Sequence, residues 1–407
     1  MPRSVTDILI ATVREDYEAT PEEIALVLTT LTPWETKWRD RHEMLKEEGY
    51  ELRPRLRPGW KASWLESGAD PLECEDGEVL PSRPMLVDAM HEVTGKPVYI
   101  KEVPTDGEEL RIAQMLVQEE WARDPRNHCV PLMRVFKDHK DPNTSYMVMP
   151  LLRPVDNPRF VTVKEIIKFV DQILEGLVFL HEKRVAHRDC VLKNIMMDAD
   201  AMYLQGFHPI ELEYAPDYSG YVKYVPRSAA KVKYYFVDFG ISVHIPESLG
   251  SMLVTGTFGR DRDPPELSPD WGKRNLQKRG NRSSSDPSAA EEGGEGYDPF
   301  KLDIFIIGNM LRREFQVPFS NLDFFGPLVE KMIQPFPDNR PSAEDALKQW
   351  QGIRKSISMI HRQWHPRSRE EHPIGSFVLD TISLHRFFMS CAKSVAKRVA
   401  KVKGTEA

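Results

Sequence analysis

The sequence predicts an α+β fold, in which short strands between residues 85 and 152 precede a long buried helix. Residues 85–89 and 97–101 are two apolar segments separated by a turn that contains Gly95, a pattern typical of a β-hairpin. Residues 146–152 form a further apolar run, which indicates a buried strand. Residues 169–181 place apolar side chains at helical spacing and predict a buried helix. Strands followed by helices are typical of an α+β domain.

The composition is that of a globular protein with a substantial core. The chain has 407 residues, 41% of them hydrophobic and 29% charged, which is enough for one domain with extensions. A net charge of −7 argues against general nucleic-acid binding. The sequence contains no run of about 18 apolar residues, the length that spans a bilayer. Its N-terminus lacks the apolar core of a signal peptide. We therefore expect an intracellular protein, cytoplasmic or nuclear, and the scattered cysteines fit a reducing compartment.

The N-terminal part of the chain predicts helices followed by an irregular segment. Residues 20–23 and 32–35 each have the pattern of a capping box with proline at the first helical position. The second helix is predicted to end near Glu48, because Gly49 follows. Residues 53–60 are basic and end in a tryptophan. For this stretch we favour a strap packed on the rest of the protein over a partner-binding segment.

Three short motifs carry the chemistry of the chain: His187-Arg188-Asp189, then Asn194, and then Asp238-Phe239-Gly240. In this order they resemble the catalytic loop and the magnesium-binding segment of the protein kinase superfamily. Phosphoryl transfer requires a site that positions a hydroxyl group, holds ATP and neutralises charge on the transferred phosphoryl oxygens. The resemblance implies that Asp189 accepts or orients the proton of the substrate hydroxyl. It also implies that Asn194 and Asp238 are oxygen ligands of Mg²⁺.

The cations near this aspartate bear on substrate choice and regulation. Serine/threonine kinases usually carry a lysine two residues after the aspartate, where this chain has Val191, while Lys193 resembles the tyrosine-kinase arrangement. Specificity for Ser/Thr or Tyr therefore stays open. Arg188 resembles the cation that pairs with a phosphorylated residue of the activation segment. Thr255 and Thr257 are the candidate acceptors, with Thr257 alternatively a structural threonine near the substrate pocket.

A lysine in the second predicted strand is the candidate phosphate ligand. Val98-Tyr99-Ile100-Lys101 resembles the kinase Val-Ala-Ile-Lys strand, which implies that Lys101 contacts the α and β phosphates of ATP. Residues 105–108 can cap the next helix. In that helix Glu109 is the candidate partner of Lys101, and Glu108 is the nearest rival.

The apolar run at 146–152 is the candidate purine site. In kinases the backbone that connects the two lobes binds adenine. By resemblance, Met149 is the gatekeeper residue, and the peptide groups of Leu151 and Leu152 meet the purine edge.

The largest departure from the kinase pattern lies upstream of Lys101. Kinases carry there a glycine-rich loop, whose backbone N–H groups approach the phosphates closely. Residues 79–84 contain no glycine and two prolines, each of which lacks an N–H group. This departure predicts weak or unusual nucleotide binding.

The motifs of a kinase framework follow the catalytic loop. Pro264-Pro265-Glu266 stands where kinases carry Ala-Pro-Glu, and Arg340 stands where they carry the arginine that pairs with that glutamate. Asp303 and Gly308 resemble the aspartate and glycine of the following helix. The resemblance implies that the aspartate braces the catalytic loop.

From residue 81 to residue 350 the order of motifs resembles a eukaryotic protein kinase domain. This implies a two-lobed fold with a small β-rich N-lobe and a larger helical C-lobe. Three short sequence segments resemble the divergent kinase-like proteins of mushroom-type fungi. They are residues 124–132, 148–150 and 297–301. The chain then divides into an N-terminal extension (1–80), an N-lobe with hinge (81–152), a C-lobe (153–365) with insertions near 199–231 and 270–296, and a basic amphipathic tail (366–407).

The two insertions differ in composition. The first is rich in tyrosine, and we expect an ordered packing or docking element rather than a second catalytic site. The second is polar and rich in glycine, which predicts a disordered loop. For the basic tail, docking on the protein itself or simple solvation is favoured over contact with an acidic membrane surface. The N-terminal extension and the tail are the two candidate sites for a regulatory partner.

The leading hypothesis is an ATP-dependent protein kinase that uses ATP and Mg²⁺ to phosphorylate hydroxyl groups of a protein substrate. The alternative is a pseudokinase that serves as a binding or scaffold module, because the glycine-rich loop is missing. A small-molecule kinase of the aminoglycoside or choline type is a third interpretation. Glu266, Asp303 and Arg340 argue against it, since those families generally lack this framework.

Overall fold

The structure, a computed structural model, describes residues 20–249, 252–256, 259–268, 271, 296–370, 379–382, 385 and 388. They form two compact units. The unit that we call the sheet unit contains the described residues up to 117, together with Val130–Arg153 and Asp198–Val232. The helical unit contains Gln118–Cys129, Pro154–Met197 and the described residues from 233 onwards. Thr257 and most of the predicted second insertion and basic tail lie outside the described residues.

The sheet unit is built on five antiparallel strands in the order β1–β2–β3–β5–β4. Their bounds are β1 (Tyr50–Glu51), β2 (Leu86–His91), β3 (Lys96–Pro104), β4 (Arg134–Lys137) and β5 (Thr144–Pro150). Strands β2 and β3 form the predicted hairpin, with Gly95 in the turn at a φ of 61°. A left-handed conformation of this kind favours glycine, which explains the residue at that turn.

The two faces of β3 have different neighbours, because successive side chains of a strand point to opposite faces. Val98 and Ile100 are buried in a hydrophobic cluster with Trp38 and Leu45. These two residues belong to the N-terminal helices, which therefore pack on that face. The opposite face of the strand carries Lys101.

The N-terminal helices begin at the predicted capping boxes. The helices of this part of the chain are α1 (Pro21–Thr29), α2 (Pro33–Arg39), α3 (His42–Glu47) and α4 (Trp64–Ser67). Thr20 and Thr32 cap α1 and α2 as the sequence predicts. The single helix predicted to reach Glu48 is wrong, because the chain turns between α2 and α3. At that turn the Arg41 guanidinium binds the hydroxyl of Tyr146 on β5 at 2.6 Å, so the chain bends where Arg41 reaches the sheet.

The basic stretch that follows β1 is packed, as the strap interpretation predicts. Arg55 is fully buried, and its Nε donates to Oε1 of Glu35 at 2.8 Å. Its terminal nitrogens donate to the carbonyl oxygens of Leu28 and Thr30 at 2.6 and 3.1 Å. A buried charge is tolerated only when it is paired and its donors are satisfied, and here both conditions hold. The pair fixes α1 and α2 on the residues that follow β1.

The sheet unit also contains α5 (Glu108–Leu116), which packs on β3, and α8 (Arg227–Ala230). Glu109, the candidate partner of Lys101, lies in α5. The described residues of the predicted first insertion belong to this unit and not to the helical one.

The helical unit is organised around α7 (Val163–Glu182), the helix predicted at 169–181. The other helices of this unit in the described residues are α6 (Glu119–Ala122), α9 (Pro299–Leu311), α10 (Gly326–Met332) and α11 (Ala343–Ser356). Helix α7 packs against α11, and Nε1 of Trp350 donates to Oδ1 of Asp171 at 2.7 Å. A run of i to i+5 hydrogen bonds (Arg312–Gln316) follows α9 directly.

Short strands flank residues 187–194, which we call the catalytic loop after the motif that they resemble. Their bounds are β6 (Arg153–Pro154), β7 (Val185–Ala186), β8 (Ile195–Asp198), β9 (Lys233–Phe236) and β10 (Val243–His244). Strand β7 pairs with β10, and β8 lies beside β9. The loop between β7 and β8 is thereby held at both ends.

The sheet unit and the mainly helical unit confirm the predicted α+β fold class. Within the described residues, none of the helices has the length and apolar character needed to cross a membrane.

We expect Gly308→Ala to destabilise the helical unit and Gly352→Ala to stabilise it. Inside a helix, alanine is favoured over glycine by about 1 kcal/mol. At position 308 the new Cβ would lie 2.6 Å from Cβ of Met332, which α10 holds in place. The resulting overpacking should cost about 3 kcal/mol and outweigh that gain. At position 352 the new Cβ would meet no heavy atom within 4 Å. Unfolding in denaturant measures both free energies, and an equal gain in both variants would contradict close packing of α9 on α10.

Candidate active site

The candidate phosphate ligand of the sheet unit forms the ion pair that the sequence predicts. Lys101 lies in β3, and its Nζ is 2.5 Å from Oε1 of Glu109 in α5. The rival, Glu108, instead binds Arg111 one turn further along the helix, and both of those side chains are half exposed. The pair fixes the ammonium group of Lys101 on its face of the sheet.

The candidate purine residues lie at the end of β5 in the same unit. Met149 stands opposite Tyr99 in the register of β5 and β3, and Met147 stands opposite Lys101. Cross-strand partners point to the same face of a sheet, so Met149 and Lys101 share one face. Leu151 and Leu152 follow the strand with their side chains buried.

In the helical unit, the two central residues of the catalytic loop are bonded to each other. Nδ2 of Asn194 donates to the carbonyl oxygen of Asp189 at 2.9 Å and to its Oδ2 at 2.8 Å. The five-residue spacing closes a short loop through a 3₁₀ turn (Leu192–Asn194). Since the amide nitrogen makes both contacts, the amide oxygen of Asn194 remains to bind a cation or a donor.

A buried aspartate of α9 holds this loop. Oδ2 of Asp303 accepts the backbone N–H of His187 at 2.8 Å, and Oδ1 accepts that of Arg188 at 2.6 Å. Oδ2 also accepts from Nε2 of His181 at 3.1 Å. Asp303 is fully buried. The brace that the resemblance implies is therefore present. Cys190 is buried beside it, and this burial raises the pKa of the thiol, which makes it unreactive.

His187 connects the loop to the segment before Asp238. Its Nε2 lies 3.1 Å from the carbonyl oxygen of Val237, so this nitrogen carries the hydrogen. Its Nδ1 accepts the backbone N–H of Asp189 at 3.3 Å. The ring packs against Phe239 at 5.0 Å between centroids. Both ring nitrogens are used within the protein, so the contacts of His187 are those of a positioning residue.

Asp238 itself lies on an exposed turn next to Asn194. Its φ is 64°, a conformation that non-glycine residues seldom adopt. Val237 N–H donates to the carbonyl oxygen of Asn194 at 3.0 Å, which brings the two candidate metal ligands into neighbouring positions on the chain path. The side chain of Phe239 is buried and anchors the turn.

The donor set of this turn fits Mg²⁺. Asn194 supplies an amide oxygen and Asp238 a carboxylate, both hard oxygen ligands. No cluster of three His, Cys, Asp or Glu side chains suited to a metal occurs in the described ranges. Mg²⁺ commonly binds through one or two carboxylates and completes its shell with phosphate and water.

The guanidinium of Arg188 binds the segment between Asp238 and Glu266, which we call the activation segment. Nη2 donates to the carbonyl oxygens of Thr255 and Gly256 at 2.9 and 3.3 Å, and Nη1 donates to that of Ile241 at 3.1 Å. Nη2 and Nε also lie 2.6 and 3.2 Å from the hydroxyl of Tyr297. This buried cation therefore holds residues 255 and 256 through their backbone carbonyl oxygens. Lys193 is exposed on the same loop.

Sequence reasoning missed a contact between the activation segment and Asp189. The backbone N–H of Arg260 donates to Oδ1 of Asp189 at 2.7 Å, and its Nε lies 3.4 Å from Oδ2. Burial raises the pKa of Asp189, while the Arg260 contacts and the Asn194 hydrogen bond oppose the rise. The only sequence signal for this close approach is the glycine at position 259. A Cβ atom there would lie 2.9 Å from the carbonyl oxygen of Arg188, so a larger residue would push the two segments apart.

The predicted ion pair of the framework is present in the helical unit. The guanidinium of Arg340 binds both oxygens of Glu266, at 2.5 and 2.7 Å, and both side chains are fully buried. Removing either partner would leave a buried charge unpaired.

The protein kinase domain model matches residues 85–257 of the chain. This stretch contains Lys101, Asp189, Asn194 and Asp238, and the match supports the protein kinase superfamily. The framework residues Glu266, Asp303 and Arg340 lie beyond it. None of the curated proteins matches the chain. The finer resemblance to kinase-like proteins of mushroom-type fungi stays a prediction.

We expect Tyr297→Phe to loosen the activation segment. The hydroxyl of Tyr297 accepts from Nε and Nη2 of Arg188 and donates to the carbonyl oxygen of Gly256 at 2.7 Å, so its removal takes the acceptor of Nε away from a buried guanidinium. The free energy of unfolding should fall by about 1–3 kcal/mol. The amide of Val254, which bonds to the carbonyl oxygen of residue 297, should exchange with deuterium faster. The control Tyr224→Phe removes an exposed hydroxyl, and an equal effect of both changes would contradict this role.

Proposed function

We propose that the chain is an ATP-dependent protein kinase that transfers the γ-phosphoryl group to a hydroxyl of a protein substrate. The observation that carries the proposal is the braced loop of the helical unit. Asp303 fixes the backbone of His187 and Arg188, and Asn194 fixes the carboxylate of Asp189. Positioning of this kind is the main task of a phosphoryl-transfer site.

Asp189 takes the proton of the attacking hydroxyl in this proposal. Each of its carboxylate oxygens already accepts one hydrogen bond, Oδ1 from the N–H of Arg260 and Oδ2 from Asn194. A carboxylate oxygen has a second lone pair, so either atom can accept the substrate proton. Burial raises the pKa of Asp189, which strengthens the group as a proton acceptor.

ATP with Mg²⁺ supplies the transferable phosphoryl group when it is bound. Asn194 and Asp238 would hold the metal, through the oxygen donors described above. Lys101 would bind the α and β phosphates, and Glu109 keeps its ammonium group in one orientation. Met149 and the peptide groups of Leu151 and Leu152 would contact the purine. Lys193 would contact the transferred phosphate.

A pseudokinase that acts as a binding or scaffold module is the second candidate. In place of a tight glycine turn, residues 52–85 connect β1 to β2, and this connection contains α4 and several 3₁₀ turns. It offers no run of closely spaced glycines to wrap phosphates. Autophosphorylation with labelled ATP and Mg²⁺ separates the two functions.

We expect the wild-type chain to incorporate label from γ-labelled ATP in the presence of Mg²⁺. Asp189→Ala should lower the rate by about 100-fold or more, because it removes the proton acceptor. Lys101→Met should lower it similarly, because it removes the phosphate ligand. The control Lys140→Met changes an exposed lysine and should leave the rate unchanged.

Mapping the labelled residue on serine, threonine or tyrosine would show the specificity. Equal labelling of the wild type and Asp189→Ala would contradict the proposed role of Asp189. Absence of label from every variant, together with failure on generic protein substrates, would favour the scaffold function.

A further inference from the structure

A tyrosine, Tyr99, lies beside Lys101 at a strand position where the resembled kinase motif has a small residue. It lies two residues before Lys101 on β3, so the two side chains share one face. The kinase strand that this segment resembles has an alanine there. The tyrosine hydroxyl donates to the carbonyl oxygen of Pro209 at 3.3 Å. Burial and the neighbouring charge of Asp88 raise the pKa of Tyr99 to about 12, so the hydroxyl keeps its hydrogen and donates at neutral pH.

Pro209 belongs to the predicted first insertion, and we call residues 199–232 the cover segment. A chain of buried contacts ties this segment to β2. Nε of Arg53 lies 2.8 Å from Oδ2 of Asp88, and its Nη1 lies 3.4 Å from Oε1 of Glu75. The same Glu75 oxygen lies 3.4 Å from Nε2 of His208. Nδ1 of His208 accepts a backbone N–H from residue 211 at 2.9 Å, so Nε2 carries the hydrogen and donates to Glu75.

A second anchor of the cover segment lies directly after the candidate purine residues. Arg153 is fully buried, and its Nη1 donates to the carbonyl oxygen of Leu212 at 2.6 Å. Its Nη2 donates to Oε1 of Glu213 at 3.1 Å. The guanidinium also lies over the rings of Tyr203 and Phe207, at 4.3 and 4.9 Å from their centroids. Arg153 therefore binds the cover segment by charge, hydrogen bonds and ring contacts together.

These anchors lie along the path of the proposed nucleotide. In the register of β3 and β5, Lys101 stands opposite Met147 and Tyr99 opposite Met149, and Leu151 follows. A nucleotide that reaches from the ammonium group of Lys101 to the peptide group of Leu151 must cross Tyr99. At that point the Tyr99 hydroxyl is already bonded to Pro209.

We propose that the cover segment competes with ATP for the Lys101 face of the sheet, so that nucleotide binds only after this segment has opened. This regulation rests on the proposed function, since it concerns the same nucleotide site. The apparent dissociation constant for ATP is the intrinsic one divided by the fraction of molecules that are open. A change that opens the cover segment therefore tightens ATP binding without adding any contact to ATP.

The test uses the full chain with Tyr99→Phe. Deleting the cover segment would expose the buried Arg153 and would confuse unfolding with opening. Tyr99→Phe keeps the ring and removes only the hydroxyl that bonds to Pro209. Loss of one hydrogen bond should raise the open fraction by about threefold to tenfold, and the affinity for ATP with Mg²⁺ should rise by the same factor. Calorimetric titration measures this affinity.

The matched control is Lys96→Ala. It removes another contact between β3 and the cover segment, the ion pair from Lys96 to Asp200 at 2.9 Å, but both side chains of this pair are about two-thirds exposed. Exposed ion pairs contribute little, so the affinity should stay within about twofold of the wild type. Deuterium exchange of a peptide covering residues 207–214, measured without nucleotide, should accelerate in Tyr99→Phe and not in Lys96→Ala.

Faster exchange and tighter ATP binding in Tyr99→Phe would support the proposal. Faster exchange with unchanged affinity would overturn it, because the segment would then open without affecting the nucleotide. Unchanged exchange would also overturn it. If neither the wild type nor Tyr99→Phe binds ATP, both this inference and the kinase function fail. Binding by the wild type that Tyr99→Phe does not alter defeats the inference alone.

Discussion

The carboxylate of Asp303 is the constraint on which the candidate active site depends. A charge this deeply buried must be paired, and its partners include the N–H groups of His187 and Arg188 and the ring of His181. Satisfying Asp303 therefore fixes the backbone of the catalytic loop in one conformation. The loop in turn fixes its neighbours, because His187 bonds to Val237 and Arg188 bonds to the activation segment. The charge of Asp303 in α9 thus helps to position three segments: the catalytic loop, the residues just before Asp238, and the activation segment.

The sheet unit uses buried arginines in the same way. Arg55 fixes the N-terminal helices, and Arg53 and Arg153 connect the sheet to the cover segment. Each is paired with a carboxylate or with carbonyl oxygens, so that its charge is compensated. Such contacts are strongly directional, and they leave the surrounding chain few alternative arrangements. In the regulation we propose, these contacts hold the cover segment over the Lys101 face of the sheet. The bond from the Tyr99 hydroxyl to Pro209 is one of them.

The sequence predicts the parts of the site that short motifs encode. The Lys101 pair, the Asp303 brace and the buried Glu266 pair all follow from motif order, and the hairpin and α7 follow from local periodicity. Other features depend on contacts between residues far apart along the chain. The bend at Arg41 depends on the sheet, the contact of Arg260 depends on the path of the activation segment, and that of Tyr99 depends on an insertion more than a hundred residues away. No local pattern carries that information.

In the kinase that we propose, Asp303 makes the catalytic loop competent for phosphoryl transfer. The most direct measurement is the single-turnover rate of transfer in Asp303→Asn, with Asp323→Asn as an exposed control. Asparagine keeps the size of the side chain but presents an NH₂ group to one backbone N–H of the loop. We expect the rate to fall by about 100-fold, as small misplacements can cause, while the affinity for ATP with Mg²⁺ changes by less than about threefold. A folded Asp303→Asn protein that transfers phosphate at the wild-type rate would contradict the claim.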